Sequence, residues 1–446
     1  MKTPFFPFVL IALWLIPCSG YCQQAVTHLK SPNWSPMVKS EINAFFDAWA
    51  FEKQNGQKPY AVFDFDNTTA ILDVEEHVVI YQLEQLRMGI KPEQMYNTLV
   101  SGVPQSDLLK PLEGLQKSAS IDALARDAAQ AYKKLYEAGC IQIPNRTPRR
   151  ADWGVHSADA AEFAVKVWLL YETIDEQCGS GVSYPWITYL FTGMTPQEVF
   201  DLTQDALDYY KQQSSLPGYF TVRTISSPAN YPSRCGAVSI RFKQGLVVSD
   251  ELKELYAALD ANGIDVYVCT ASLREVIRAA AAFFALPGID GFIGLEIQKD
   301  ARGRYVNQYD YSVHPITQGK GKTDAIKQIL APRYGGNGPI FTAGDSLGDY
   351  DFCTAFPETR ICLILNRVRS DDFGLLAAQA VWQTQSKIYF SELNKAGKTR
   401  YLLQGRNENR GVLHADSRVI LLGESAPKLL SQRAEEYLRT FNAEKK

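Results

Sequence analysis

Three short apolar runs in this chain each end in a cluster of polar side chains, and that arrangement limits the fold more than any other feature. The first, Tyr60-Ala61-Val62-Phe63, delivers Asp64-Phe65-Asp66-Asn67-Thr68. The second, Ile264 to Cys269, runs into Thr270-Ala271-Ser272, and the third, Ile340-Phe341-Thr342-Ala343, delivers Gly344-Asp345-Ser346-Leu347-Gly348-Asp349. Between the last two, Lys322 opens a helix whose Ala325, Ile326 and Ile329 follow helical spacing. Ligands of open α/β sheets bind beyond the carboxyl ends of the strands, so segments far apart in sequence can meet in one crevice.

Asp64 and Asp66, at i and i+2 on an extended segment, point to one face while Phe65 points to the other. Two acids and a Thr at a strand end suit holding a cation and a phosphoryl group together. The plainer reading is a strand entering an Asp/Asn-rich turn. Ser272 with Glu275 reads as a capping box at a helix start. Two rival motifs occupy the same segments. Gly321-Lys322-Thr323 looks like the end of a nucleotide-binding loop, but Ile316 stands where that pattern needs its first glycine and no clear strand leads into it. Gly344-Asp345-Ser346-Leu347-Gly348 fits the Gly-x-Ser-x-Gly elbow of serine hydrolases, with Ser346 as nucleophile. Only His314 and His414 lie near or beyond it, and that reading leaves Asp64, Asp66 and Lys322 without a task.

Taken in order, the Asp-x-Asp-x-Thr strand end, the strand ending in Thr270, Lys322 at a helix start and Gly-Asp-x-x-x-Asp at 344–349 resemble the four motifs of the haloacid dehalogenase superfamily. The resemblance covers roughly half of the chain and implies a Rossmann-like α/β core, a parallel sheet with helices on both faces. It also implies site roles. Asp64 would be the nucleophile, Asp66 the general acid/base, Thr270 a phosphate ligand, Lys322 the charge neutraliser, and Asp64, Asp66 (through its carbonyl), Asp345 and Asp349 the holders of Mg²⁺. An Asp at position 66 favours phosphatase chemistry over dehalogenation, which needs no proton donor there. The segment from Asn67 to Glu76 looks like the exported phosphorylcholine phosphatases of that superfamily and, less closely in spacing, phosphoserine phosphatases. Glu75 and Glu76 are therefore candidate binders of a cationic head group, aided by aromatic faces among Trp153, Trp168, Tyr171, Tyr184, Trp186 and Tyr189. As a group those aromatics fit a helical core better. The expected activity is magnesium-dependent hydrolysis of a small phosphomonoester through an aspartyl-phosphate, with phosphorylcholine favoured.

Composition and spacing set the frame. The chain has 446 residues, 46% of them hydrophobic, and a net charge of -3, so it can bury a large core and carries no basic footprint for nucleic acid. Its five His lack metal-ligand spacing, which argues against a zinc site. The apolar stretch from Phe5 to Ile16, followed by Pro17-Cys18-Ser19-Gly20, has the form of a secretory signal peptide over 1–22 and is too short to span a membrane. A periplasmic or secreted location follows. Residues 23–58 read as a helical extension, with Ser35-Pro36 starting an amphipathic helix that ends near Gly56. Residues 59–72 and 245–446 form the expected core, and 73–244 a mainly helical cap, since about two hundred residues separate the first two motifs, far more than a βα loop needs. Helix starts are expected at Asp73, Ser120, Ser157 and Thr195, and a tail helix from about Ala426 to Phe441. Cys140, Cys178 and Cys235 are candidates for bridging, and Leu402 to Gly411 reads as a surface turn.

Overall fold

The computed structural model describes residues 25–113, 119–141 and 154–443. The signal-like stretch over 1–22 and Trp153 lie outside them. The strands are β1 (Tyr60–Phe63), β2 (Thr221–Ser226), β3 (Ser239–Gln244), β4 (Asp265–Leu273), β5 (Ile289–Leu295), β6 (Ile297–Lys299), β7 (Tyr305–Tyr309), β8 (Phe341–Gly344), β9 (Ile361–Leu365), β10 (Arg400–Asn407) and β11 (Val412–His414). Seven form one sheet in the order β11-β10-β9-β8-β1-β4-β5, parallel throughout except for β10 against β11.

Why the apolar runs lack alternation is visible in β1. Tyr60 and Val62 join Ala325, Ile326 and Phe352 in one apolar cluster, while Ala61 and Phe63 join Phe45, Tyr256 and Phe341 in the other. Both faces of the sheet are covered, so every residue of β1 is buried. Helix Pro36–Trp49 covers one face with Val38, Ile42, Phe45 and Phe46, and the Phe45 ring lies 5.6 Å from that of Phe341. It stops at Trp49, before Gly56, because Ala50 turns extended. Its Glu41 accepts Arg400 Nε at 2.8 Å, a buried pair that ties this helix to β10.

Between β1 and β4 in sequence come the helices Val74–Glu84, Pro92–Leu99, Ile121–Glu137, Ser157–Cys178, Ser180–Thr188 and Pro196–Gln213, then the β2–β3 hairpin. Their starts follow the chemistry of the sequence. Asp73 and Ser120 cap with their side chains, and Thr195 and Glu198 form a reciprocal capping box. Trp186, Tyr132, Phe163 and Trp168 fill the interior of this insertion.

Four expectations are corrected. Strand β4 continues through Leu273, and the next helix, Arg274–Phe283, has no side-chain cap. Leu273 rather than Ser272 therefore stands at the N-cap, and Ser272 Oγ donates to the Asp66 carboxylate at 2.7 Å. Leu402 to Gly411 is no surface turn: Gln404, Arg406 and Glu408 are fully buried in and just after β10, and their polar groups are satisfied by one another and by neighbouring loops. Gly405 permits this, because a Cβ there would sit 2.0 Å from the Arg418 carbonyl. The described cysteines Cys140, Cys178 and Cys235 are free thiols; Cys178 faces Asp107, and Cys235 is anchored by its amide on Asp127. The tail helix begins later than expected, at Gln432.

Candidate active site

Because β10, β9, β8, β1 and β4 are parallel neighbours, their carboxyl ends lie in a row, and the polar residues there form a line: Glu408, Arg367, Asp345, Asp64 and, within β4, Thr270. Asp64 still donates its amide to the Ala343 carbonyl at 3.0 Å. Asn67 then adopts a left-handed φ of 60°, which folds the chain back so that Asp66 and Thr68 share the crevice.

Lys322, in the first turn of helix Lys320–Ile329, donates to Asp64 Oδ1 and Asp349 Oδ1, both at 2.7 Å. Burial works against its charge, but Asp349 and Asp64 hold it firmly protonated. Thr68 Oγ1 lies 2.9 Å from Asp64 Oδ2 and 3.1 Å from Asp345 Oδ1. One hydroxyl proton cannot serve both oxygens. Asp349 is otherwise committed, since its Oδ2 accepts the amides of Asp345 at 3.0 Å and Ser346 at 3.3 Å. Carboxylate oxygens of Asp64, Asp345 and Asp349 lie within 4.8 Å of one another, all buried. Against these three acids stand Lys322 and Arg367, whose Nη1 is 3.0 Å from Asp345 Oδ2. The imbalance is costly, several kcal/mol per ion being the usual scale of burial. It pushes Asp64 well above the ordinary carboxylate range, through burial first and the Asp349 charge second. Hard oxygen donors with excess negative charge fit a magnesium-like cation, and the least committed oxygens are Asp64 Oδ2 and Asp345 Oδ1.

Gly344 makes this pole possible, because a Cβ there would lie 2.6 Å from Asp349 Cβ. Gly344→Ala is expected to destabilise the protein by about 1–3 kcal/mol, the range of overpacking, and to displace Asp349 from Lys322. A lowered melting temperature with lowered activity checks this; an unchanged protein would show that Asp349 is not held by contact.

Asp66 sits apart from the acidic trio. Its Oδ1 accepts the Val74 amide at 2.6 Å, at the start of helix Val74–Glu84, and its Oδ2 accepts Ser272 Oγ at 2.7 Å, with Thr270 Oγ1 at 3.3 Å. Burial and then the Asp73 charge push it up to about 8, despite the opposing hydrogen bonds. A carboxyl that holds a proton near neutrality is suited to give one to a leaving oxygen. Thr270 is fixed in turn, its carbonyl accepting Thr317 Oγ1 at 2.6 Å.

The facing wall comes from the helical insertion. A cleft of about 300 Å³ is lined on one side by Asp64, Asp66, Thr270, Lys322 and Asp345, and on the other by Asp73, Glu75, Glu76, Tyr171, Asp175 and Tyr184. Glu75 is spent on structure, accepting the Leu273 amide at 2.8 Å. Among the described residues the Glu76 carboxylate has one long hydrogen-bond contact, Tyr171 Oη at 3.5 Å, and burial followed by the Asp66 charge raises it to about 7 against the opposing Lys243 and Arg367 charges. Of the aromatics, Tyr171 and Tyr184 line the cleft, whereas Trp186 donates to the Leu99 carbonyl in the core.

Ser346 takes a structural part: it caps helix Leu347–Thr354 in a reciprocal box with Asp349. His314 bonds the Pro315 carbonyl and His414 faces Asp416, and among the described residues no imidazole is bonded to Ser346. Sequence reasoning missed Ser272, Thr317 and Arg367. Ser272 was within reach, since i+2 on a strand places it on the same face as Thr270.

A crevice of acids, one lysine and a strand-end Thr thus lies at the carboxyl edge of a parallel α/β sheet. The family model described as haloacid dehalogenase-like hydrolase matches residues 229–353, which include Thr270, Lys322, Asp345 and Asp349. It is 26% identical over 274 residues to the phosphorylcholine phosphatase of Pseudomonas aeruginosa, a stretch that covers 61% of this chain and 56% of that protein. The chain thus spans little more than half the length of the curated relative it matches. Its fold is similar to the crystal structure of a conserved, functionally unknown protein from Anaerococcus prevotii, with 25% identity, a TM-score of 0.72, and coverage of 91% of this chain and 100% of that one.

Proposed function

We propose that the protein is a magnesium-dependent phosphomonoesterase that acts through an aspartyl-phosphate on a small phosphorylated alcohol with a cationic head, phosphorylcholine being favoured. The observation that carries the reading is the convergence of Asp64, Lys322, Asp345 and the separately held Asp66 at adjacent strand ends. Asp64 attacks phosphorus in line, and its Oδ1 is presented by Lys322. Lys322 and the Thr270 hydroxyl face the charge that spreads over the equatorial oxygens. Asp66 gives its proton to the leaving alcohol and then takes one from the water that cleaves the acyl-phosphate. Magnesium, held by Asp64 and Asp345 with Asp349 orienting Lys322 and the loop amides, would neutralise the incoming dianion. The apolar stretch from Phe5 to Ile16 supports export as part of the same reading.

Support for a cationic alcohol comes from charge. Asp66, Asp73, Glu75 and Glu76 are all raised by burial among like charges, and Glu76 with Tyr171 and Tyr184 offers a carboxylate and two aromatic faces to a quaternary ammonium. The test is a panel of phosphomonoesters with and without magnesium. Phosphorylcholine should be the best substrate, choline should compete, and chelation should remove activity. Glu76→Gln should raise KM for phosphorylcholine by roughly tenfold while leaving nitrophenyl phosphate within about twofold. Equal effects on both esters, or a preference for phosphoserine, would reject the cationic assignment.

A further inference from the structure

The buried segment after β10 contributes charges that the hydrolytic scheme leaves without a task. Arg406 and Glu408 are both fully buried. Arg406 donates Nη2 to Glu408 Oε1 at 2.7 Å, and Nη1 to the carbonyl of Asn67, the left-handed residue between Asp66 and Thr68. Glu408 Oε2 accepts the Leu422 amide at 3.0 Å, which fixes the carboxylate from behind. Its Oε1 also faces Arg367 Nε at 3.7 Å, an ionic contact too long for a hydrogen bond. Arg367 in turn holds Asp345 Oδ2 at 3.0 Å. The result is a line of alternating charge across adjacent strand ends: Arg406, Glu408, Arg367, Asp345. Arg367 is thus shared between two carboxylates, and the share taken by Glu408 is the share that Asp345 keeps for a cation.

We propose that Glu408 is a positioning residue for the magnesium pole: by sharing the Arg367 charge with Asp345 and anchoring Arg406 on the Asn67 carbonyl, it sets how strongly Asp345 binds the cation. The inference rests on the reading of Asp64 and Asp345 as the metal site. Losing the Glu408 charge removes one negative group from the neighbourhood and leaves Asp345 as the one acid in ion-pair contact with Arg367 among the described residues. Both effects weaken cation binding, and in a buried setting neither is screened away.

The test is calorimetric titration of the full-length protein with magnesium alone, paired with thermal melting. Glu408→Gln should weaken magnesium binding roughly fivefold or more, and Arg367→Gln, which removes the competitor, should tighten it roughly threefold. A purely structural part would lower the melting temperature of both variants without moving the two affinities in opposite directions. Wild-type affinity in folded Glu408→Gln overturns the inference, as does wild-type or weaker affinity in Arg367→Gln, which decides the matter alone if Glu408→Gln does not fold. Absence of magnesium binding by the wild type overturns it together with the metal reading. Failure of the phosphorylcholine assignment touches neither arm, because no substrate is present.

Discussion

Asp64→Asn is expected to abolish phosphomonoester hydrolysis, by at least ~10⁴-fold in kcat, while leaving the protein folded and its melting temperature unchanged or higher. The amide keeps the shape of the carboxylate but cannot form an acyl-phosphate. Lys322 loses one acceptor of charge and retains Asp349 Oδ1 at 2.7 Å. Meanwhile the pole sheds one of three buried acids, and it is burial that pushes Asp64 up in the first place. An active site that stores such a penalty gains stability when the charge is removed. Steady-state assay and thermal melting check both halves. Retained hydrolysis in Asp64→Asn, with Ser346→Ala inactive, would transfer the nucleophile's part to Ser346.

Asp66→Asn is expected to lower kcat for an alkyl phosphate by about 10²–10⁴-fold, and much less for nitrophenyl phosphate in the first step, because a nitrophenolate leaves without a proton. The wild type should show the same logic in its pH profile. Asp66 must be protonated for departure of an alkoxide, and its carboxyl lies up at about 8, so hydrolysis of the alkyl ester should fall as pH rises through that value. A cation on the neighbouring acids favours the ionised form and brings the midpoint below it. The alkaline limb should be absent from the nitrophenyl ester's first step. A limb of equal size with both esters would contradict the assignment of the proton to Asp66.

How much of this was legible beforehand depends on what kind of interaction decides each element. Strands buried on both faces, such as β1 and β9, announce themselves as unbroken apolar runs, and helix starts at Ser120 and Thr195 are set by local capping chemistry. The Asp64, Lys322 and Asp345 convergence was readable because the parallel α/β rule aligns strand ends without needing side-chain detail. Ser272 was misassigned for the opposite reason. A capping box is a local preference, whereas the continuation of β4 through Leu273 is set by sheet pairing, and the Asp66 carboxylate that accepts the Ser272 hydroxyl lies about two hundred residues away in sequence. The same holds for Arg406 and Glu408: charged residues beside Gly read as solvated until the partners, Asn67 and Arg367, are brought in by the sheet. Gly405 was the one available hint, since a glycine within a strand marks close approach of another backbone. Glu75 and Glu76 were paired by sequence, but the fold separates them, committing Glu75 to the Leu273 amide and leaving Glu76 toward the cleft.

The account stands on a covalent phosphoryl-enzyme at Asp64, and the most direct measurement is to look for it. Purified Asp66→Asn protein is mixed with magnesium and nitrophenyl phosphate, quenched in acid, digested and analysed by mass spectrometry. With the general base removed, hydrolysis of the acyl-phosphate slows, so the intermediate should accumulate and place the mass of one phosphoryl group on Asp64 in the peptide that contains Tyr60–Phe63. Hydroxylamine should discharge it, as expected of an acyl-phosphate. A burst of nitrophenol with no modified Asp64, or with the phosphoryl group on Ser346, would contradict the account.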